Sequence, residues 1–533
     1  MSYKDFKADG FRVRMPPMKY IADVVIYKIR DKAVAETARG EIIAESEDHA
    51  EVIQKAVNYV KSLGGGKVFI KNGEYRIAKE IAIEAARNVV IEGEGWNTKL
   101  VAADKDTIII RIGSRTDVNK ASQKIVIRNI FFDGSEQETE TKPPEYNDRR
   151  FGIEIASPYD YRETTTEILI EGCYFYNTGS DAVYGYEAGR VIVTGCWFEK
   201  IRGYWAAVHC HDRQAWIIVN NVFIDCETAA IRHGAVIANN VAINCKGRSD
   251  PDNGVIVTGC HLGGSIVANN HIQPASGYDG IYVFGIGDHI IGNIIIGGRK
   301  GIRFRSASGY GWHTVVGNFI RDTSDRAIDV TGGNHHNTIR ANHIRNTKGI
   351  YIDSNNIDVE GNYMDYCGDS SHDYITLGPN ASENTIRNNV LVNDRGARAG
   401  IYEESGADNN VIINNVVLVG TERIVKSGSN TIVKNNVGYL TENSGVATLS
   451  GDGSTTDFLI GEHGLSPTID DPSKVVVKCT PASADAIAAS PLVCYLSDEN
   501  SDGNYESIRV KFSSAPPSGT DNVKVAWEVE YIG

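Results

Sequence analysis

From about residue 120 to residue 440, apolar residues come in short bursts cut by turns, without the 3.6-residue rhythm of helices. In its clearest stretch each period reads apolar-x-Asn-apolar-apolar, a turn, then Gly or Ala, Ile, any residue, apolar. The asparagine recurs at Asn221, Asn240, Asn270, Asn293, Asn318, Asn342, Asn362, Asn389, Asn415 and Asn436, with separations of 19, 30, 23, 25, 24, 20, 27, 26 and 21 residues. Upstream, Asn129, Cys173 and Cys196 are expected in the same slot. Such a period predicts one supersecondary unit per repeat, each burying its apolar face on its neighbours. The bursts are β-branched and bounded by turns, so the units are strands. Amides stacked at one turn can hydrogen-bond along the stack. The expected fold is all-β, a right-handed parallel β-helix spanning residues 46–442.

The ends differ. Residues 1–45 look irregular, with Pro16-Pro17 and one strand candidate at 23–28, and are expected as an N-terminal arm. Over 47–63, Val52, Ile53, Ala56, Val57, Val60 and Leu63 form one helical stripe, stopped by Gly64-Gly65-Gly66. A helix there would cover the open end of the first coil. Polar interruptions at 113–123 and 134–151 are expected as loops, either walling a binding face or simply tolerated. Alternation at 474–479, 507–512 and 523–531 predicts a small β-sandwich at 443–533.

Two stretches resemble known families. Ile53-Gln-Lys-Ala56, Gly64-Gly-Gly-Lys-Val-Phe-Ile70, Gly73-Glu-Tyr75 and Ile91-Glu-Gly-Glu-Gly95 resemble the entry to pectate-lyase-like (pectin lyase-fold) β-helices. In that family the strand after each turn lines the substrate groove. Gly451-Asp-Gly-Ser-Thr-Thr-Asp-Phe458 with Gly464-Leu465 resembles modules appended to phage tail and tailspike proteins. That likeness implies a module that caps or trimerises a β-helix, hence a homotrimer.

Composition narrows the class. The net charge of −14 argues against a non-specific binder of nucleic acid or anionic membrane. No apolar run is long enough for a transmembrane helix, and no signal peptide is visible in residues 1–14. Nine cysteines show no CxxC spacing. Cys173, Cys196, Cys226, Cys245 and Cys367 are expected as buried thiols in equivalent rungs, whereas Cys479 and Cys494 can pair between neighbouring strands. His335-His336 sits in a turn with Asn337; a metal pair is conceivable there, but adjacent histidines point opposite ways in extended chain, so a surface turn is the expectation. No metal or cofactor is supported.

Chemistry concentrates on the strand after each turn. Its outward positions give a first column of Glu154, Tyr184, His209, Arg232, Ile256, Tyr282, Arg303, Asp329, Tyr351, Thr376 and Tyr402. Two residues on, a second column holds Ala156, Tyr186, His211, Gly234, Thr258, Phe284, Arg305, Thr331, Asp353, Gly378 and Glu404. Rungs ~4.8 Å apart make each column a stripe. A face built for solubility would be Lys, Glu, Ser and Thr. Aromatic rings instead suit the C–H face of a sugar, and arginine suits carboxylates. The bland reading is ladders that only stabilise the sheet.

Two reactions compete. β-Elimination on a uronate needs a base and cations, for which His209, His211, Arg232 and Arg303 are candidates, with Tyr184, Tyr186, Asp279, Tyr282, Phe284, Arg305, Tyr351, Tyr402 and Glu404 binding substrate. Inverting hydrolysis would use Asp329 and Asp353, expected ~8 Å apart, although an ion pair between Asp329 and Arg303 would disqualify Asp329 as the acid. Asp181, Asp279 and Asp252 precede their strands and can reach the rim. Polygalacturonase motifs (Asn-Thr-Asp, Asp-Asp, Gly-His-Gly, Arg-Ile-Lys) are missing apart from a vague Arg232-His233-Gly234, and Ser249-Asp-Pro-Asp252 lacks the histidine of the epimerase Asp-Pro-His triplet. The expectation is an extracellular or virion-attached polysaccharide depolymerase. A lyase on an acidic glycan is preferred, with a glycoside hydrolase and a non-catalytic glycan-binding adhesin as rivals.

Overall fold

The computed structural model describes residues 22–139, 150–211, 215–247, 254–259, 264–305 and 309–532, with the backbone of Asp5–Ala8 and Phe11–Arg14. Asp252 lies outside the described residues. Two compact units divide the chain, Met1–Ile357 and Asp358–Gly533.

In the first unit each rung contributes one strand to each of three parallel sheets. Sheet I holds Gly66–Ile70, Arg87–Gly93, Gln123–Arg128 and their successors. Sheet II holds Gly73–Ile77, Thr98–Ala102 and Phe131–Asp133, and sheet III holds Ile81–Ile83, Ile110–Gly113 and Ile153–Ala156. Every strand pairs in parallel with its counterpart one rung away, so like positions stack on like. The interior shows what this does to side chains: Phe132, Phe175, Phe198 and Phe223 stack nearly parallel with centroids 4.8, 4.9 and 4.6 Å apart. Such pairs contribute ~0.5–1.5 kcal/mol each beyond their burial.

The asparagine ladder sits between sheets I and II. Asn293 is buried; its Nδ2 donates to Val267 O (2.9 Å) and Asn318 Oδ1 (3.0 Å), and its Oδ1 accepts from Asn270 N (3.0 Å) and Nδ2 (2.9 Å). The pattern runs from Asn221 to Asn342 and, within the second unit, from Asn362 to Asn436. Cys196 takes the slot above Asn221, donating its N–H to Asn221 Oδ1 at 2.9 Å. Asn129 does not share this slot, because the pairing of Phe131 with Tyr174 sets Ile130 level with Cys173. Asn129 instead has φ 56°, the left-handed position held by Gly172, Gly195, Asn220 and Gly292 in other rungs. That conformation favours Gly and Asn, so an asparagine alone does not reveal which of two adjacent slots it fills.

A second ladder, before sheet I, is built from mixed residues. Ser265 N donates to Asp288 Oδ1 (2.7 Å), Asp288 N to His313 Nδ1 (3.0 Å) and His313 N to Asn337 Oδ1 (2.9 Å). Burial lowers His313 to about 4, against the opposing pull of Asp288.

The helix His49–Ser62 is capped by Asp48, which accepts from Glu51 N, and it buries Val52, Ile53, Ala56, Val57 and Val60. Leu63, expected on the same stripe, is the C-cap and is exposed. The N-terminal segment is more regular than expected. Val24–Ile29, Lys32–Thr37 and Ile42–Ser46 form an antiparallel meander joined to sheet I through the pairing of Val24 with Val68.

In the second unit the coils run from Asp358–Glu360 to Ile432–Lys434. They are followed by two three-stranded antiparallel sheets. Cys479 and Cys494 join these sheets as a disulfide, with Cα atoms 6.1 Å apart.

Two outcomes test these ladders. Asn293→Ala leaves partners in two neighbouring rungs unsatisfied and is expected to lower the unfolding free energy by about 3 kcal/mol, read by urea denaturation. For His313 the folded state binds its proton less readily than the unfolded state. The stability it contributes is complete above about pH 6.5 and is lost as pH falls towards 4, about 3 kcal/mol in all. His313→Asn, which keeps a ladder acceptor, is expected to flatten that part of the melting-temperature profile.

Candidate functional site

Sheet III carries the chemistry. Its pairing runs Glu154, Tyr184, His209, Arg232, Val257, Tyr282, Arg303, Asp329, Tyr351, which confirms the first column within this unit except at one rung. There Ile256 pairs with Ile281, so Val257 takes the place expected for Ile256. Thr258 is likewise not in the second column; it is buried and donates to Asp288 Oδ2 at 2.6 Å. The run Val255-Ile256-Val257 is apolar at every position and gives no alternation from which to set its phase. In the second column, Tyr186 pairs with His211 and Thr331 with Asp353, as expected.

The stripe is not an open trough along its length. Tyr184, Tyr186, His209, Arg232, Asp279, Tyr282 and Asp329 are all buried, whereas His211, Phe284, Arg303, Arg305, Tyr351 and Asp353 are half-buried. The covering side chains come from turns, which the column reading leaves out. Arg115 lies 5.4 Å from the Tyr184 ring and 5.0 Å from Tyr186, with its Nε 2.5 Å from Glu154 Oε1. Burial pushes the Glu154 carboxyl up against the pull of Arg115, and it pushes the Tyr184 hydroxyl well above its ordinary range. The Tyr184 ring stacks on Phe151 with centroids 4.6 Å apart. Trp205, one residue before its strand, lies 5.7 Å from the His209 ring and 4.3 Å from the Arg232 guanidinium.

Behind this cover sits an oriented imidazole. His209 Nδ1 lies 2.9 Å from Asp181 Oδ2, and Asp181 Oδ1 accepts from Ala206 N at 3.0 Å. Asp181 is fully buried and His209 is 2 % exposed. A carboxylate on one ring nitrogen fixes the tautomer and aims the other nitrogen. His211 packs 6.0 Å from His209 and stacks on Tyr186 at 5.5 Å, at the half-open edge of the cluster.

Ring contacts continue along the sheet. His233 lies 6.0 Å from His209 and 5.8 Å from Phe284; Arg305 covers Phe284 at 4.1 Å and donates to the Tyr310 hydroxyl at 3.2 Å. His233 has φ 62°, a turn that the sequence pattern did not reveal.

The acidic candidates are tied up. Asp279 takes Arg299 Nε (2.8 Å) and Nη2 (2.9 Å), and Arg303 approaches the same carboxylate at 3.6 Å. Asp329 is engaged by Lys300 Nζ and lies level with Arg303 on the neighbouring strand. A carboxylate held this way is poorly placed to hand a proton to a leaving group. In the second unit, Arg398 clamps Asp373 and covers Tyr402 at 3.6 Å, while Glu404 is half-buried. Among the described residues, the one convergence of three or more carboxylate, thiolate or imidazole ligands is Asp498, Asp502 and Glu506 in the terminal module.

A family model described as a right-handed beta helix region matches residues 120–272. This is a right-handed parallel β-helix protein. Among solved structures, the chain is similar to a double mutant of the tailspike protein of E. coli bacteriophage HK620, with 13 % identity, 90 % of this chain and 89 % of that chain covered, and a TM-score of 0.54. It is also similar to the A-module of mannuronan C-5 epimerase AlgE6 from Azotobacter vinelandii (14 %, 73 % and 94 % covered, TM-score 0.36). DFA-IIIase from Arthrobacter chlorophenolicus A6 matches at 13 %, with 73 % and 94 % covered and a TM-score of 0.38. At 13 % identity the likeness to the tailspike speaks for the β-helix fold alone.

Within this β-helix, Asp279→Ala would leave Arg299 and Arg303 facing each other without their shared carboxylate. It is expected to lower the unfolding free energy by about 3 kcal/mol, measurable by urea denaturation.

Proposed function

We propose that the chain depolymerises an acidic, uronate-containing polysaccharide by β-elimination on sheet III. The observation that carries this reading is the Asp181–His209 pair, set among aromatic rings one rung from Arg232. Elimination needs a base to remove the proton α to the sugar carboxylate, and a cation to hold the enolate-like charge that develops. His211, the imidazole at the open edge, takes the proton. His209, oriented by Asp181, positions and polarises the cluster, and Arg232 holds the carboxylate. The electron pair of the broken C–H bond forms the new double bond as the neighbouring carbon's bond to the glycosidic oxygen breaks, and that oxygen leaves with the bonding pair and takes a proton from water. Phe284, Arg303, Arg305, Tyr351 and Asp353 extend the surface along neighbouring rungs, a length that suits several sugar units.

Inverting hydrolysis by Asp329 and Asp353 is the weaker reading, because Lys300 already engages Asp329. An adhesin that binds glycan without cleaving it would use the same rings. The tail-like terminal module motivates a homotrimer working outside the cell or on a virion; a monomeric mass by light scattering removes the trimer.

Incubation with a panel of polyuronates is expected to raise absorbance in the unsaturated-uronate band. His211→Ala should lower that rate by about 10²–10⁴-fold, and Asp181→Asn should lower kcat more than it raises KM. New reducing ends without absorbance would favour hydrolysis, and binding without either product would favour the adhesin.

A further inference from the structure

His335 and His336 occupy the turn that leads from the sheet III strand Ile328–Thr331 to the sheet I strand Thr338–Arg340. Neighbouring side chains in extended backbone point to opposite sides. Here His336 adopts φ 58°, in the left-handed region, and the two rings swing together. Their Nδ1 atoms lie 2.9 Å apart, with ring centroids at 4.9 Å and planes at 83°. Trp312, with the same left-handed twist at φ 58°, walls the pair. Its ring stacks on His336 at 5.3 Å and stands edge-on to His335 at 4.9 Å.

The backbone under this cluster is pinned. Tyr310 and Gly311 pair with Asn334 and His335. Trp312 N donates to His335 O at 3.0 Å, Asn334 Nδ2 to Thr331 O at 2.7 Å, and Ser354 Oγ to Asn334 O at 2.7 Å. Backbone strain of ~1–3 kcal/mol at a residue with a β-carbon persists only where its surroundings enforce it, and here it brings two nitrogen ligands together at the surface. His336 is exposed and Trp312 is 55 % exposed, so an ion can reach the site from solvent.

The spacing selects the ion. Imidazole nitrogen binds a divalent transition ion at ~2.0–2.1 Å, so two ligands at a right angle lie ~2.9 Å apart and two at a tetrahedral angle ~3.4 Å. Right-angled coordination is the habit of Cu2+ and Ni2+, and imidazole suits both. We infer that His335 and His336 form a two-imidazole chelate for Cu2+ or Ni2+, with water completing the coordination and Trp312 closing one side. The ion replaces the hydrogen bond between the two Nδ1 atoms, and each neutral ring carries its one proton on Nε2.

The test is titration of the untagged, EDTA-treated full chain with CuCl2, NiCl2 and ZnCl2, followed by calorimetry and tryptophan fluorescence. One saturable equivalent of Cu2+ or Ni2+ per chain is expected, with partial quenching of emission and a Cu2+ spin-resonance signal split by two nitrogens. His335→Ala and His336→Ala should each abolish the saturable phase without changing the melting temperature. Trp312→Phe should lose the quench and keep the heat of binding. The inference is overturned if no saturable phase exists, or if that phase survives both histidine substitutions. Zn2+ binding as tightly as Ni2+ would overturn the right-angled geometry.

Discussion

Each rung has to satisfy buried polar groups where the chain turns, and from Asn221 to Asn342 stacked side-chain amides do so. A turn between parallel strands leaves N–H and C=O groups pointing along the stack, and leaving one unmade costs ~1–3 kcal/mol. Asn293 meets this demand in both directions at once, bonding to the rung before and the rung after. The interior keeps the same register, since parallel pairing of like strands sets Phe175 on Phe132 and Phe198 on Phe175. The stack also sets Tyr184, His209 and Arg232 side by side although they are far apart in sequence.

The fold was legible because ladder asparagines and inward isoleucines repeat by residue type. The second ladder was not, because Ser265, Asp288, His313 and Asn337 share only the ability to accept a hydrogen bond. Asn129 misled for the opposite reason: the residue type was right, but two adjacent slots both favour it.

The site was partly legible in the same way. Alternation placed Glu154, Tyr184, His209, Arg232, Tyr282, Arg303, Asp329 and Tyr351 in one stripe, and it failed only where Val255, Ile256 and Val257 offered no contrast. Burial was beyond it. Arg115, Trp205, Arg299 and Lys300 reach over the stripe from turns, and no strand periodicity records where a turn residue folds back. The approach of His335 to His336 was hidden too, because it depends on the sign of one backbone angle.

A scaffold with this register has an evolutionary consequence. Losing half a coil would shift every later residue against its neighbour, moving inward side chains to the surface and emptying the ladder slots. Losing or duplicating a whole coil would leave each junction with the contacts it had before. Lineages of such a chain should therefore differ by complete turns of the solenoid, and by insertions between strands, and seldom by anything in between.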